Sequence, residues 1–471
     1  MQGYTPNIFT HVAMFGILFV SLWLFGKYPI RTAIVTVLVG GWIFLPQAHY
    51  HIFLIPFRTK TNAISLALLL GILIKNPKGF LNFRFSWVDL PMICWCVSPF
   101  ISAISAGVGA YEGAQGLEFQ IVDYGIPYAI GRSYFGTFEA LKELAVGLLV
   151  GALVLIPLEI IELRLSPQMH IWVYGWYPHD FLQTIRESGF RPSVFMSHGL
   201  ELAIWNAAAA FIGWQLYLRH VIRGSLPFLK TPILPAIIVL SLLLMISHSS
   251  GAFYLFLIAL VITEISIRLK TFIPILLVAL LPITYIGLRS TGAWDGQSLV
   301  DAAHKITGSA DRTQSLDFRI QNETILAEKA RIKILFGWGS GGRSLITDKT
   351  GKLISVPDGQ WIITLGEGGL LALASINCVY LLPALLFFLK FPPKRLGRSV
   401  ETPAVAFAIF FIITMIDNLF NFMSNPVLIV ASGGIVSLAL SPSALSGSPP
   451  GESRLSKLQH PLTPRATTRV I

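Results

Sequence analysis

LKELAVGLLVGALVLIPLEIIE, from Leu141 to Glu162, carries no charge between Glu143 and Glu159, and as an α-helix it is about 33 Å long. That is close to the ~30 Å hydrocarbon thickness of a bilayer, where a helix satisfies its own backbone and needs no water. The same pattern recurs on both sides of it. Before it lie Phe9 to Gly26, Ile30 to Pro46, Thr61 to Ile74 and Trp87 to Gly109; after it come Met196 to Leu218, Pro232 to Ser247, Gly251 to Ile267, Phe272 to Leu288, Trp361 to Leu389, Pro403 to Phe422 and Pro426 to Leu440. These are twelve candidate spans. A further stretch, Phe119 to Ile130, holds Asp123, Gly125 and Pro127 and is either a thirteenth crossing or a re-entrant piece packed against protein. The fold class expected is all-α: a polytopic bundle of 12 or 13 transmembrane helices with one large loop outside the cytoplasm.

Composition agrees. Of 471 residues, 54% are hydrophobic and 13% charged, with mean hydropathy +0.67; a soluble fold devotes about a quarter of its residues to charge. The net charge of +11 does not point to nucleic acid, because Lys and Arg sit in short links between apolar runs rather than in one patch. Cys94, Cys96 and Cys378 all fall in apolar runs and form no disulfide or zinc pattern. The N-terminus lacks the basic region of a cleaved signal, so the first run is expected to be retained.

The links with Arg219, Arg223 and Lys230, with Arg268 and Lys270, and with Lys390, Lys394, Arg395 and Arg398 belong in the cytoplasm by the positive-inside rule. Alternation then places Leu163 to Phe195 and Arg289 to Gln360 outside. The early links with Lys27 and Arg31, and with Lys75, Lys78 and Arg84, also belong inside if the stretch near Asp123 crosses, which gives thirteen crossings with the N-terminus outside. Residues 1–440 form the membrane domain. Ser441 to Ile471, rich in Ser, Pro and Arg, is expected to be a disordered cytoplasmic tail.

The segment Arg289 to Gln360 is too long for a connector. Leu316 to Leu335 reads as a helix in which Phe318, Ile325 and Ile332 recur every seven residues, with Arg319 and Glu323 on another face; its apolar stripe is suited to lie on a membrane surface. FGWGSGGRS, Phe336 to Ser344, is either a helix stop with a flexible turn or a backbone nest for an anion beside Arg343. Asp358 stands at the mouth of a span, as an N-cap or as a proton acceptor. Glu367, further in, is an ion-pair partner or a functional carboxylate. Arg191 and His198 enter another span, and Arg132 sits near a membrane boundary. Several arginines at one face would suit a pyrophosphate. Singly, each also reads as snorkelling, and His198 reads as a helix-end residue because no second metal ligand stands at useful spacing. His49 and His51 are a weak pair.

PYAIGR at Pro127 to Arg132, FRPSVFMSHGLELA from Phe190, SHSSGAFYLFL at Ser247 to Leu257, and the run from Arg319 through FGWGSGGRS to DGQWIITLGEGGLLAL together resemble the O-antigen ligase and polymerase superfamily of bacterial envelope glycan transferases. The chain matches that plan from about residue 10 to 440. It departs from the ligases in carrying Asp358 and Gly359 where they have a histidine, and Ser249 or Ser250 for an arginine, which favours a polymerase. The resemblance implies a GT-C-like, multi-pass protein of the bacterial inner membrane with a periplasmic large loop. Its donor would be a polyprenyl-pyrophosphate-linked glycan, its acceptor a sugar hydroxyl, its surroundings membrane lipids and other polysaccharide-assembly proteins. It implies that Arg191, Arg319 and Arg343 neutralise the leaving pyrophosphate, with Arg132 as a further anion ligand and His198 and Glu367 near substrate, while Asp358 handles the acceptor proton. No cofactor, metal or nucleic acid is expected. The rival readings are a ligase acting on a lipid core or protein, a polysaccharide transporter or flippase, and a scaffold of an envelope assembly complex.

Overall fold

The computed structural model describes residues 6–50, 57–81, 83–186, 189–307 and 310–441. The tail expectation, from residue 442 onward, lies outside them. The described chain is mostly helical: α1 (Ile8–Lys27), α2 (Ile30–Phe44), α3 (Lys60–Lys75), α4 (Pro77–Leu81), α5 (Leu90–Ala106), α6 (Ala110–Gln120), α7 (Ile126–Tyr134), α8 (Phe138–Leu165), α9 (Met169–Tyr174), α10 (Gly199–Leu218), α11 (Ile233–Ile246), α12 (Ser250–Leu269), α13 (Ile273–Thr291), α14 (Gln297–Thr307), α15 (Ala310–Ile332), α16 (Gln360–Lys390), α17 (Thr402–Asp417) and α18 (Pro426–Leu440). Each of the twelve candidate spans falls on a helix. Among the described residues six helices, α1, α8, α12, α13, α16 and the run Trp87–Ala106 containing α5, are long and apolar enough to cross a membrane, and α2, α11, α17 and α18 are shorter apolar helices.

Two of the shorter helices lie where length matters least: nearly every side chain of α17 and α18 is buried, as in the longer α10, so these are sheathed by other helices. Their sequences suit that place: α18 meets α7 where Gly433 faces the Tyr128 carbonyl and Gly131 the Val430 carbonyl, and an added Cβ at either would overlap backbone. The stretch near Asp123 is a π-turn, Ile121–Gly125, joining α6 to α7 in one helical run.

Contacts sort the helix termini into two ends of the bundle. At the basic end Arg31 pairs with Glu143 (3.1 Å), Arg132 with Asp89 (2.8 Å), Arg219 with Glu264 and Arg395 with Glu401 (3.8 Å); Lys75 and Lys390 cap the carbonyls of Tyr28 and Ala439. At the loop end Asn7 donates to the Val173 carbonyl, Tyr174 to that of Phe44, and the Gln360 N–H to that of Asn418. The run from Ala110 to Tyr134 joins the two: Glu112 meets the large loop, and Tyr134 donates to Asn76 at the basic end.

In the large loop, α15 is one face buried and one exposed, but the buried face is not the seven-residue stripe. Ile320, Glu323, Leu326, Ala327 and Ala330 are buried, whereas Phe318, Ile325 and Ile332 are exposed. The Glu323 carboxylate accepts from Tyr285 on α13 (2.5 Å), from Trp361 on α16 (3.2 Å) and from Arg289 (3.4 Å). That polar network chose the docked face; hydrophobic spacing alone pointed to the other.

Candidate functional site

The shorter loop between α8 and α10 is held at both ends by one side chain. The Glu162 carboxylate, buried near the end of α8, accepts from the backbone N–H of Met169 (2.9 Å), Ser193 (2.8 Å) and Val194 (2.8 Å). A second anchor lies three residues on. Lys60 donates to the Trp42 carbonyl (3.2 Å), and Gln47, with its amide turned to satisfy both neighbours, accepts from Lys60 (2.6 Å) and from the Ser197 N–H (3.0 Å). These buried groups fix the segment from Arg191 to His198.

Arg191 donates through Nε and Nη2 to the His248 carbonyl (3.2 and 2.8 Å). The Ser-His-Ser-Ser-Gly entry of α12 therefore supplies a main-chain acceptor that aims the guanidinium. His198 caps α10, its Nδ1 accepting from the Leu200 N–H (2.9 Å), and its ring meets His179 edge-on at 4.5 Å. Burial, and then His179, Arg191, Arg186 and Arg319, push His198 down to about 3. It is neutral at pH 7, with its proton on Nε2, so it donates a hydrogen bond and is no base.

Arg191 is pushed down to about 10 by burial and then by Arg186 and Arg319, with Tyr177 acting the other way. Arg186 and Arg319, from two loops, thus lie within electrostatic reach of Arg191, and among the described residues no carboxylate acts on it. Arg319 does have one: its Nε meets Asp358 at 3.1 Å, and the pair is about a third exposed. Asp358 does not cap α16, whose N-cap, Gly359, offers no side chain. Buried Asp417, held by Asn421 (2.8 Å), is also within reach of Arg319.

No protein-family model and no curated protein matches the chain. The site therefore rests on its own geometry.

Arg343 and Arg132 are not in the cluster. Arg343 pairs with Glu112 on α6 (2.9 Å) and donates to the Ser340 carbonyl (2.5 Å). Its turn is tied to Lys329, whose carbonyl accepts from Trp338 (3.0 Å) and whose ammonium donates to the Leu345 carbonyl (2.5 Å). Lys329 is ten residues beyond Arg319 on α15, about 15 Å along the axis. Arg132 lies at the opposite, basic end, donating to Asp89, which also accepts from Tyr128, and to the Arg84 carbonyl. The buried Asp89 needed a cation there, and this corrects the placing of Arg132 beside the anion site. His51 lies outside the described residues.

The glycine-rich turn is neither a free nest nor a flexible stop. Helix α16 is broken at Gly369 (φ 65°), and the turn plugs the break. Trp338 N–H donates to the Gly366 carbonyl (2.9 Å) and Gly339 N–H to that of Glu367 (3.0 Å), while Leu370 and Leu371 N–H groups donate back to Ile334 (2.8 Å) and Leu335 (3.2 Å). Gly337 (φ 73°) and Gly369 sit against each other's strands so closely that a Cβ on either would overlap backbone. Beneath the turn a cleft of about 150 Å³ is lined by Leu326, Ser344, Leu345, Pro357, Ile363 and Glu367 among others.

Sequence reading missed Arg186 and His179. The signal was present in HDFLQTIRESGFR, His179 to Arg191, three basic residues in one short loop. What it lacked was the closure of that loop by Glu162.

Proposed function

We propose that the chain is a membrane glycan transferase that moves an oligosaccharide from a polyprenyl pyrophosphate to a sugar hydroxyl, polymerising O-antigen or exopolysaccharide repeats at the outer face of the bacterial inner membrane. The observation that carries this reading is the approach of Arg186 and Arg319 to Arg191 at the loop end, where among the described residues no carboxylate answers the Arg191 guanidinium. Such a cluster is relieved by a multivalent anion, and two phosphates match several permanently charged, bidentate donors. In this reading the basic end is cytoplasmic, the run from Ala110 to Tyr134 is the thirteenth crossing, and the large loop is periplasmic.

In the reaction the acceptor oxygen bonds to the donor sugar's anomeric carbon as the bond from that carbon to the pyrophosphate oxygen breaks. The electron pair leaves with the pyrophosphate, where Arg186, Arg191 and Arg319 stabilise the developing charge and the Nε2–H of His198 adds a donor. The acceptor proton passes to Asp358, which Arg319 positions. Arg343 braces the plugged turn against α6 and stands outside the anion site. The test is glycan chain length in cells at normal expression: Arg191→Ala and Arg186→Ala should leave single or very short repeats, and wild-type lengths in both would remove the cluster from the reaction. Transfer by purified protein in detergent, where no compartment exists to transport across, separates this reading from a flippase, which buried Glu159, with one carboxylate oxygen unbonded inside the bundle, would otherwise favour.

A further inference from the structure

The cleft under the glycine-rich turn belongs to no part of the anion cluster. Glu367 enters it from α16, two turns inside the helix, and its carboxylate makes no hydrogen bond or ion pair among the described residues. A half-buried carboxylate without a partner is costly and survives where a ligand completes it. The rest of the lining is largely apolar, from Leu326, Leu345, Ile362 and Ile363, with Ser344 adding a hydroxyl. A carboxylate with a hydroxyl on one side and aliphatic surface on the other is complementary to a pyranose ring, which presents adjacent O–H donors along its edge and a C–H face. A cation is a poorer fit, because a single carboxylate is a sparse ligand set and the Lys329 ammonium already donates to the carbonyl of Leu345, another lining residue.

The position is suited to a second substrate. Leu326 is seven residues beyond Arg319 on the same face of α15, about 10 Å away. Pro357 lines the cleft, and the next residue, Asp358, holds Arg319. Asp358 thus stands between the cleft and the guanidinium cluster.

We infer that the Glu367 cleft is the acceptor subsite, binding a neutral sugar ring through its hydroxyls while the donor's pyrophosphate occupies the arginine cluster. This rests on the transferase reading for the word acceptor, but the binding of a saccharide there does not. Glu367 is a binding residue in this scheme, not the proton acceptor.

The experiment uses the purified full chain in detergent, with two probes: a panel of methyl hexosides and methyl N-acetylhexosaminides, read by saturation-transfer NMR, and inorganic pyrophosphate, read by calorimetry. Wild type should bind at least one glycoside. Glu367→Leu should weaken that binding at least tenfold, leave pyrophosphate affinity within twofold, and leave the melting temperature unchanged or raised, since an unpartnered carboxylate has been removed. A purely structural Glu367 would instead lower the melting temperature. Unchanged glycoside binding in Glu367→Leu, or no binding of any glycoside by wild type that binds pyrophosphate, would overturn the subsite. Failure of pyrophosphate alone, with glycosides bound, would overturn the donor site and leave this one standing.

Discussion

Among the described residues Arg191 has a backbone carbonyl and two like charges for neighbours, so its truncation removes the proposed anion ligand without orphaning any described carboxylate. Charge-assisted hydrogen bonds of this kind contribute about 1.5–3 kcal/mol, so Arg191→Ala should slow transfer by about 10- to 150-fold with little loss of fold. Arg343 is different. Its pair with Glu112 is exposed and worth at most about 1 kcal/mol, so Arg343→Ala and Glu112→Ala should give the same mild defect in chain length; a collapse confined to Arg343→Ala would return it to the anion site. The histidines make a pH prediction. His198 and His170, pushed down to about 3 and 4, are neutral in the fold, whereas the unfolded chain takes up protons below about 6.5. Their contribution to stability is therefore full above that value and is lost progressively as pH falls towards the folded values, by at most about 2 kcal/mol each between pH 6.5 and 5. Thermal unfolding at pH 7.5 and pH 5 should show the drop, and His198→Asn, which keeps a capping oxygen, should reduce it.

Two elements of the loop end carry their own tests. The plug of the glycine-rich turn into the break of α16 needs Gly337 and Gly369, so Gly337→Ala should release the turn, seen as faster proteolysis between Leu335 and Leu345 and as shortened glycan. The docking of α15 depends on Glu323, which burial pushes upward and which Tyr285, Trp361 and Arg289 hold. Glu323→Ala leaves Arg289 buried without its partner, and a loss of about 3–5 kcal/mol is expected, read as a lower melting temperature. Long apolar runs made the spans legible, since their periodicity and length are local properties of the sequence. The face on which α15 docks was not legible, because Glu323 is a favourable core residue only in the company of residues 38 positions away on either side. Asp358 and Arg319 were legible singly as charged residues near a membrane mouth; their pairing was not. The turn's glycines drew attention for the right reason, close approach of backbone, but what approaches is the broken helix.

For the molecule as a whole, ion pairs and capped carbonyls close the basic end, whereas at the loop end Arg289, Arg319 and Arg343 have carboxylate partners and, among the described residues, Arg191 has none. Arg132 shows why spacing along the chain could not assign it: the continuous run through the π-turn carries it the full depth of the bundle, to Asp89. Cysteines placed at Asp180 and Lys394 in a chain cleared of Cys94, Cys96 and Cys378 should label from opposite sides of intact cells. The most direct test of the anion cluster is calorimetric titration of the purified full chain with farnesyl pyrophosphate at pH 7. Saturable binding in wild type, weakened at least tenfold by Arg186→Ala, Arg191→Ala or Arg319→Ala and unaltered by Arg343→Ala, is the predicted result. Binding of equal strength in all of them, or none in wild type, would contradict it.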